Sequence, residues 1–169
     1  SGLGTPLPAL KRQRDTYSGA LQAAGHTPQT QDNLLSQWVV TKQAYVAETD
    51  AQARAEAERH ERWYLDSFAR SLSPNGLSGL SAAVRQQAEE MARRASGRRW
   101  EELVEDALLI GSPATVRQKV AALAEAGVGE LVCWMNFGGI PTDKVRRSMQ
   151  LFAEEVMPAF QPAPATRTH

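Results

Sequence analysis

The stretch that decides the fold is residues 111–160, GSPATVRQKVAALAEAGVGELVCWMNFGGIPTDKVRRSMQLFAEEVMPAF. Its centre, residues 130–136, is a nearly continuous apolar run of the kind found in strands buried within parallel sheets. Apolar side chains recur at helical spacing on both sides of this run, which predicts one helix before it and another after it. Helices alternating with a buried strand across short glycine-bearing loops indicate an α/β architecture with a parallel sheet.

The boundaries of these two helices are marked by residues with strong preferences for helix ends. Ser112 is expected to cap the first helix, Pro113 to occupy its first position, and Gly127 to end it. Thr142 is expected to cap the second helix, which ends near Pro158.

Toward the N-terminus the pattern is weaker but follows the same alternation. We predict a helix over 8–24, a polar turn-like connection over 26–36, a strand over 37–47, a long helix opened by a capping box of Thr49 and Gln52, a turn over 73–76, a helix over 80–95 and a short apolar strand over 107–110. The chain therefore combines helices with two or three strands.

Composition bounds the class of protein. Hydrophobic residues make up 42% and charged residues 22% of the 169 residues, which are globular values. The formal net charge is zero, which argues against a nucleic-acid partner bound through bulk charge. Cys133 is the single cysteine, so an internal disulfide is excluded, and its apolar surroundings favour inert core. The excluded disulfide framework makes a reducing cytoplasm the expected compartment. No apolar run approaches the roughly 20 residues that span a bilayer.

Several motifs, in order, carry a resemblance over roughly residues 5–160. The sequence resembles the luciferase-like, flavin-dependent monooxygenases, the family of bacterial luciferase, in segments Tyr17–Pro28, Val46–Glu58, Gly111–Pro113, Ala126–Glu130, Asn136–Pro141 and Lys144–Phe160.

The resemblance implies a helix-rich partial (β/α) TIM barrel. The family is built on an eight-stranded barrel of about 250 residues, so this chain corresponds to its C-terminal part, with two or three parallel strands. We expect residues 1–160 to form a single domain and residues 161–169 to be a disordered tail. The chain would then be a C-terminal fragment or a truncated form.

The resemblance also implies an activity. Family members oxidise an organic substrate with dioxygen and reduced FMN, which a separate reductase supplies. An isolated C-terminal part is expected to lack a complete active site and to bind FMN weakly or not at all. The alternatives are a truncated paralogue that acts as a flavin-binding or protein-interaction module without turnover, and a proteolytic remnant with no function of its own.

The candidate cofactor-binding residues are Trp134, Asn136, Gly138 and Gly139. Trp134 and Asn136 alternate along the strand and should share one face; by resemblance, the segment 134–139 lies beside the flavin ring and the substrate. The competing interpretation is that Trp134 is core, Asn136 caps the strand end, and the two glycines form a tight turn. No catalytic residue is identified.

Other polar candidates have simpler explanations. A phosphate at the helix start Ser112–Pro113 is conceivable, but plain capping by Ser112 is favoured. His26 and His60 are expected to lie on solvated surfaces, and no spacing of histidines, cysteine or carboxylates indicates a metal.

The apolar elements predict an assembly. The run 130–136 would have an open sheet edge, and the last helix carries an apolar stripe that has to be covered. That stripe consists of Val145, Met149, Phe152 and Val156. We therefore expect a two-fold homodimer in which each chain covers the other's apolar surface.

Overall fold

The computed structural model describes residues 4–71, 79 and 81–160. In chain order the elements are α1 (Leu7–Ala23), α2 (Pro28–Ser36), β1 (Val39–Val46), α3 (Asp50–Ser71), α4 (Ala82–Ser96), α5 (Trp100–Asp106), β2 (Leu109–Gly111), α6 (Pro113–Glu125), β3 (Glu130–Trp134) and α7 (Thr142–Leu151), followed by a π-helical turn at Phe152–Val156 and a 3-10 turn at Met157–Ala159. The turn expected over 73–76 and the tail expected over 161–169 lie outside the described residues.

The three strands form one parallel sheet in the order β2-β1-β3. The second half of β1 pairs with β2, from Ala44 opposite Leu109, and its first half pairs with β3, from Val39 opposite Glu130. The expected α/β, parallel architecture of a partial barrel is confirmed. In a complete barrel each strand pairs with the strands that precede and follow it in sequence. Here β1 is the central strand, and β3 pairs with the edge of β1 that would otherwise lack a partner.

Helices cover both faces of the sheet. On one face, Val40, Ala44 and Val46 pack with Leu10 of α1, apolar residues of α6 and the end of the last helix. On the other face, Tyr45 packs with α3, α5 and the segment that follows β3. Because strand residues alternate between faces, the odd-numbered side chains of β1 all point to the α3 side.

The central strand carries one buried polar side chain toward each face. Lys42, only 2% exposed, donates hydrogen bonds to the carbonyl oxygens of Thr5 and of Ala107, the latter at 2.9 Å. Its neighbour Gln43 points to the α3 face and is 1% exposed. Burial lowers the pKa of Lys42 to about 8. The Lys42 ammonium group therefore holds the α5–β2 corner and the start of α1 against the middle of the sheet.

A second lysine, from α6 on the same face of the sheet, supports the same corner. Lys119 of α6 donates to the carbonyl oxygens of Val104, Leu108 and Ile110, the last two at 3.1 Å. These acceptors lie at and just beyond the end of α5, where carbonyl groups lack partners within the helix. Burial lowers the pKa of Lys119 to about 8 as well.

The helix boundaries around α6 are confirmed. Ser112 is the N-cap, and its Oγ accepts a bond from the Thr115 amide at 3.4 Å. Pro113 is the first helical residue, and Gly127 follows the helix with φ +85°, in the left-handed region that glycine tolerates. The expectation that Thr142 caps α7 is wrong: Thr142 is the first residue of the helix, and Pro141 takes the N-cap position without a side-chain bond to the helix.

The prediction of a turn-like connection over 26–36 is wrong, because residues 28–36 form α2. Thr27 caps this helix by accepting a bond from the Thr30 amide at 3.3 Å, and Pro28 occupies its first position. Leu35 is its one buried residue. A short helix that needs a single apolar anchor leaves almost no hydrophobic periodicity in its sequence, so the polar composition concealed it.

One prediction about burial is also wrong, and the covering of the apolar stripe by a partner chain stays a prediction. In β3, Val132 is 43% exposed, because β3 is an edge strand and no described helix covers this corner of its α3-side face. In the apolar stripe of the last helix, Val145 and Val156 are buried within the chain, but Met149 is 53% exposed. The buried side of α7 carries Val145, Ser148 and Leu151, and there Ser148 accepts a bond from the Val46 amide at 2.7 Å.

The turn into β3 depends on one glycine. A Cβ added at Gly129 would lie 1.7 Å from the carbonyl oxygen of Ser36, at the end of α2. By contrast, a Cβ added at Gly19, within α1, would meet nothing within 4 Å.

We therefore expect Gly129→Ala to lower the free energy of unfolding by about 2 kcal/mol or more, because α2 and β3 would have to separate. Gly19→Ala should raise it by roughly 0.5–1 kcal/mol through helix propensity. Chemical denaturation of the two variants checks this pair. Equal stability of the two variants would contradict the close approach.

Candidate functional site

The candidate site lies at the carboxyl end of β3, the end at which barrel enzymes place their active-site residues. Trp134, the last residue of β3, sits opposite Gln43 of β1 and is partly buried against the α3-side core. Its indole Nε1 donates a hydrogen bond to the carbonyl oxygen of Asn136 at 2.7 Å. This bond ties the indole to the chain that leaves the strand, while Asn136 itself is exposed.

Helix α3 lies against this end of the sheet. The ring of Tyr64 meets the Trp134 ring system edge-on, with 5.1 Å between centroids and 86° between planes. Phe68, one turn further along α3, stacks with Tyr64 at 6.2 Å. The indole face of the candidate site therefore already has an aromatic neighbour from the same chain.

His60 joins α3 to the loop after β3. Its Nδ1 lies 2.7 Å from the carbonyl oxygen of Gly138, and Arg59 Nε donates to its Nε2 at 3.0 Å. Because Nε2 accepts from a cation, the ring proton resides on Nδ1, which donates to Gly138. The expectation that His60 is solvated is wrong: it is 7% exposed. The surrounding charges of α3 suggested a wet face, but the histidine is on the helix side that faces the sheet.

The two candidate glycines differ in their surroundings. Both have positive φ values, +57° at Gly138 and +71° at Gly139. A Cβ at Gly138 would lie 1.9 Å from the backbone oxygen of His60, so this glycine permits close contact with α3. A Cβ at Gly139 would meet nothing within 4 Å, so the backbone there is open to an approaching molecule.

A buried carboxyl group lies beside these residues. Glu61 is 1% exposed and its Oε2 accepts a hydrogen bond from Gln43 Nε2 at 2.7 Å. Burial raises the pKa of Glu61 to about 7, and the bond from Gln43 opposes that shift. A carboxyl with such a pKa at the end of a barrel strand marks a functional candidate.

The structure thus brings the four predicted residues together, with Trp134 and Gly138 partly buried and Asn136 and Gly139 exposed. Sequence reasoning missed the α3 side of the site and Gln43 of β1. A signal was present, because the sheet-facing residues of α3 recur at helical spacing. They are Ala53, Ala57, His60, Glu61 and Tyr64.

The start of α6 is fully used within the chain. The Ser112 amide donates to Asp50 Oδ1 at 2.6 Å, and Thr115 Oγ1 donates to Asp50 Oδ2 at 2.9 Å. These bonds lower the pKa of Asp50. The carboxylate of Asp50 occupies the position at which a phosphate would meet this helix, so the capping interpretation is favoured over an anion site.

The remaining polar candidates do not form a site. Burial raises the pKa of the Cys133 thiol to about 11, as expected of an inert core cysteine. Within residues 4–71, 79 and 81–160, no group of three or more histidine, cysteine or acidic residues could hold a metal ion. Among the same residues, no helix is long and apolar enough to cross a membrane.

Comparison with known proteins identifies the family. The model of the family described as luciferase-like monooxygenase matches residues 1–130, most of the chain. The chain belongs to this family, as its motifs indicated. The match ends before Trp134, so the candidate site residues lie outside it.

Individual relatives agree with this assignment. The chain is 27% identical over 158 residues to 2,5-diketocamphane 1,2-monooxygenase 2 of Pseudomonas putida, covering 88% of this chain and 40% of that protein. It is 26% identical, with a TM-score of 0.57, to the oxygenating constituent of 3,6-diketocamphane monooxygenase from the same organism, a type II Baeyer-Villiger monooxygenase solved in complex with FMN. That alignment covers 94% of this chain and 42% of the solved one.

A third comparison supports the fold alone. The monooxygenase RslO1 of Streptomyces bottropensis is 19% identical, with a TM-score of 0.54, and the alignment covers 93% of this chain and 40% of that structure. The chain thus spans about two fifths of the length of the relatives it matches.

The raised pKa of Glu61 gives a testable dependence of stability on pH. Glu61 holds its proton more tightly in the folded state than in the unfolded chain, whose value is near 4.5. The contribution of Glu61 to the free energy of unfolding is therefore fully present below about pH 4.5 and is lost as the pH rises through about 7. We expect Glu61→Gln to remove this loss and to be more stable than the wild type at pH 8, by about 3 kcal/mol at most.

Urea unfolding of both proteins between pH 4.5 and 8.5 measures this difference. The wild-type stability should fall relative to the variant across the window from pH 4.5 to 7. A constant difference between the two proteins at all pH values would show that Glu61 does not titrate as described.

Proposed function

We propose that this chain contributes the C-terminal wall of the active site of a flavin-dependent, luciferase-like monooxygenase. The observation that carries the proposal is the juxtaposition of Trp134, Asn136 and the open backbone of Gly139 at the carboxyl end of β3, in a chain of this family. An aromatic ring, an amide and an unobstructed peptide suit one edge of a planar, polar ring system.

The fit to FMN differs between the two ends of the cofactor. Trp134, Asn136 and Gly139 would hold the isoalloxazine ring, and reduced FMN would supply the activation of dioxygen. The phosphate lacks an equivalent cradle at α6, since Asp50 takes the Ser112 amide. We therefore propose weak binding or none in the isolated chain, with most of the phosphate contacts supplied by barrel strands that this chain does not contain.

The substrate in this proposal is a small organic molecule. The names of the relatives specify diketocamphanes, which are cyclic ketones, and a ketone is the substrate class we favour. Dioxygen is the second substrate, and a separate flavin reductase delivers reduced FMN. The chain's own residues would bind and orient the ring and exclude water from it.

One observation favours a second candidate function, a module without turnover. The Tyr64 ring covers the Trp134 side chain, and His60 ties the loop at Gly138 to α3. A chain with this closed face could serve as a flavin-binding or protein-interaction module and perform no oxidation.

We further propose that residues 1–160 act as one cytoplasmic domain and assemble as a homodimer. The support for the dimer is the open edge of β3 and the pair Val39 and Val132, 41% and 43% exposed on the α3-side face. Exposed apolar side chains beside a strand edge favour association. Met149 of the last helix is also exposed, at 53%.

The cofactor proposal predicts sub-stoichiometric FMN in the purified chain. Titration with FMN, followed by its fluorescence, should give weak binding that Trp134→Ala weakens further, by about tenfold, since an aromatic contact contributes roughly 1–1.5 kcal/mol. Trp63→Ala is the matched control, because Trp63 is 58% exposed and has no described contact with the site. Stoichiometric yellow protein after gel filtration would contradict the incomplete site, and equal loss in both variants would contradict the role of Trp134.

The dimer proposal predicts a mass of about twice 18.5 kDa by light scattering at low micromolar concentration. Val132→Lys should yield monomers, because it places a charge in the apolar contact. Val84→Lys, on the exposed surface of α4, should leave the mass unchanged. A compact monomer in the wild type would count against the dimer.

A further inference from the structure

The indole face of the site is closed by three contacts from one helix. Tyr64 meets Trp134 edge-on at 5.1 Å, Glu61 accepts from Gln43 at 2.7 Å, and His60 is joined to Gly138 at 2.7 Å. All three side chains lie within two turns of α3. A planar ligand that approaches Trp134 from the α3 side would need the space that Tyr64 fills.

Of these contacts, the Glu61–Gln43 pair is the one that involves a buried carboxyl group. Gln43 is the single hydrogen-bond partner given to the Glu61 carboxyl within the described part of the chain. Both residues are 1% exposed, so an ionised Glu61 would sit in the core, where the Gln43 amide is its hydrogen-bond partner among the described residues. His60 is held in one tautomer by Arg59 and Gly138, and the Tyr64–Trp134 contact carries no charge.

Resting on the proposed function, we propose that Glu61 is a positioning residue: through its bond to Gln43 it holds Tyr64 against Trp134 and thereby controls access to the ring-binding face. When the carboxyl is neutral, α3 stays docked and the face is closed. When the carboxyl ionises, its buried charge favours undocking of this part of α3, and the Trp134 face opens.

Among the described residues, the elements around Glu61 bring few charges that could compensate its ionisation. The loop after β3, residues 135–141, and β2 contain no charged residue, and the β1 residue that meets it is the neutral Gln43. From α4, the described charged residues include Arg85 and Glu90; on α3 itself, Arg59 is bonded to His60, and Arg62 to Glu58. Tyr64 is the neighbour whose own pKa rises, through burial first and the Glu61 charge second.

The pH dependence has a definite sign. Glu61 has a pKa of about 7 when docked and should return toward 4.5 when α3 undocks and water reaches it. The ratio of open to closed forms then rises about tenfold between pH 6 and pH 8. Ligand binding that requires the open form should tighten by the same factor.

The experiment uses the whole chain, with FMN as the probe and hydrogen exchange as a readout that needs no ligand. Exchange of peptides spanning 58–68 and 136–140, corrected for intrinsic rates, is measured at pH 6 and pH 8, and FMN affinity is measured under the same conditions. We expect both to increase toward pH 8 in the wild type. In Glu61→Gln, which keeps a neutral side chain, both should be independent of pH.

Two further variants separate positioning from general destabilisation. Glu58→Gln removes a carboxyl from the same helix at its exposed pair with Arg62 and should retain the wild-type pH response. Tyr64→Ala should bind FMN more tightly at pH 6 than the wild type, whereas Tyr64→Phe, which keeps the ring, should not. If Tyr64→Ala fails to fold, the exchange measurement on Glu61→Gln still decides the matter.

The outcomes distinguish this inference from the proposed function. Exchange that responds to pH through Glu61, without any FMN binding, would support the positioning role and count against the flavin proposal. FMN binding that is equal at both pH values in the wild type and in Glu61→Gln would overturn the positioning role and leave the flavin proposal intact. An exchange profile in Glu61→Gln that matches the wild type at both pH values would also overturn it.

Discussion

The structure depends on the burial of two adjacent polar residues in the middle of its central strand. Lys42 and Gln43 are neighbours in sequence and therefore point to opposite faces of the sheet. Neither side chain can be buried without a hydrogen-bond partner, because burying an unpaired polar group destabilises the fold by more than most single contacts stabilise it. Lys42 finds backbone carbonyls on one side, and Gln43 finds Glu61 on the other. Lys42 thereby holds the start of α1 and the α5–β2 corner, and Gln43 holds α3 against the opposite face of the strand.

Local rules account for the parts of the fold that the sequence predicts well. Ser112, Pro113 and Gly127 mark the ends of α6 because capping and backbone preferences act over a few residues. Alternation of helical and strand patterns similarly predicts the parallel sheet. Helix α2 was missed because its single buried residue, Leu35, produces no periodicity. Even so, Thr27 as the cap and Pro28 as the first helical residue are the same local signals that mark the start of α6 at Ser112 and Pro113.

The candidate site was only half predictable for a different reason. One short segment at the end of β3 contains Trp134, Asn136, Gly138 and Gly139. Its position after the strand and its resemblance to the family identified these residues. His60 and Glu61 acquire their roles from contacts with residues far away in the chain, which no local pattern encodes. Among the charged neighbours of α3 they resemble a solvated surface, and only the placement of that helix against β1 buries them. The order β2-β1-β3 likewise depends on which strand edges are available, a property of the whole chain.

The long-range character of these contacts has a consequence for the order of folding. His60 and Gly138 are separated by 78 residues, and Val46 and Ser148 by 102. Closing such long loops costs conformational entropy before any contact between their ends has formed. These two long-range contacts therefore form after the local helices. The face around Trp134 is accordingly assembled in the last steps of folding. A chain trapped in an earlier, helix-rich state would retain most of its secondary structure while lacking the aromatic contact between Tyr64 and Trp134.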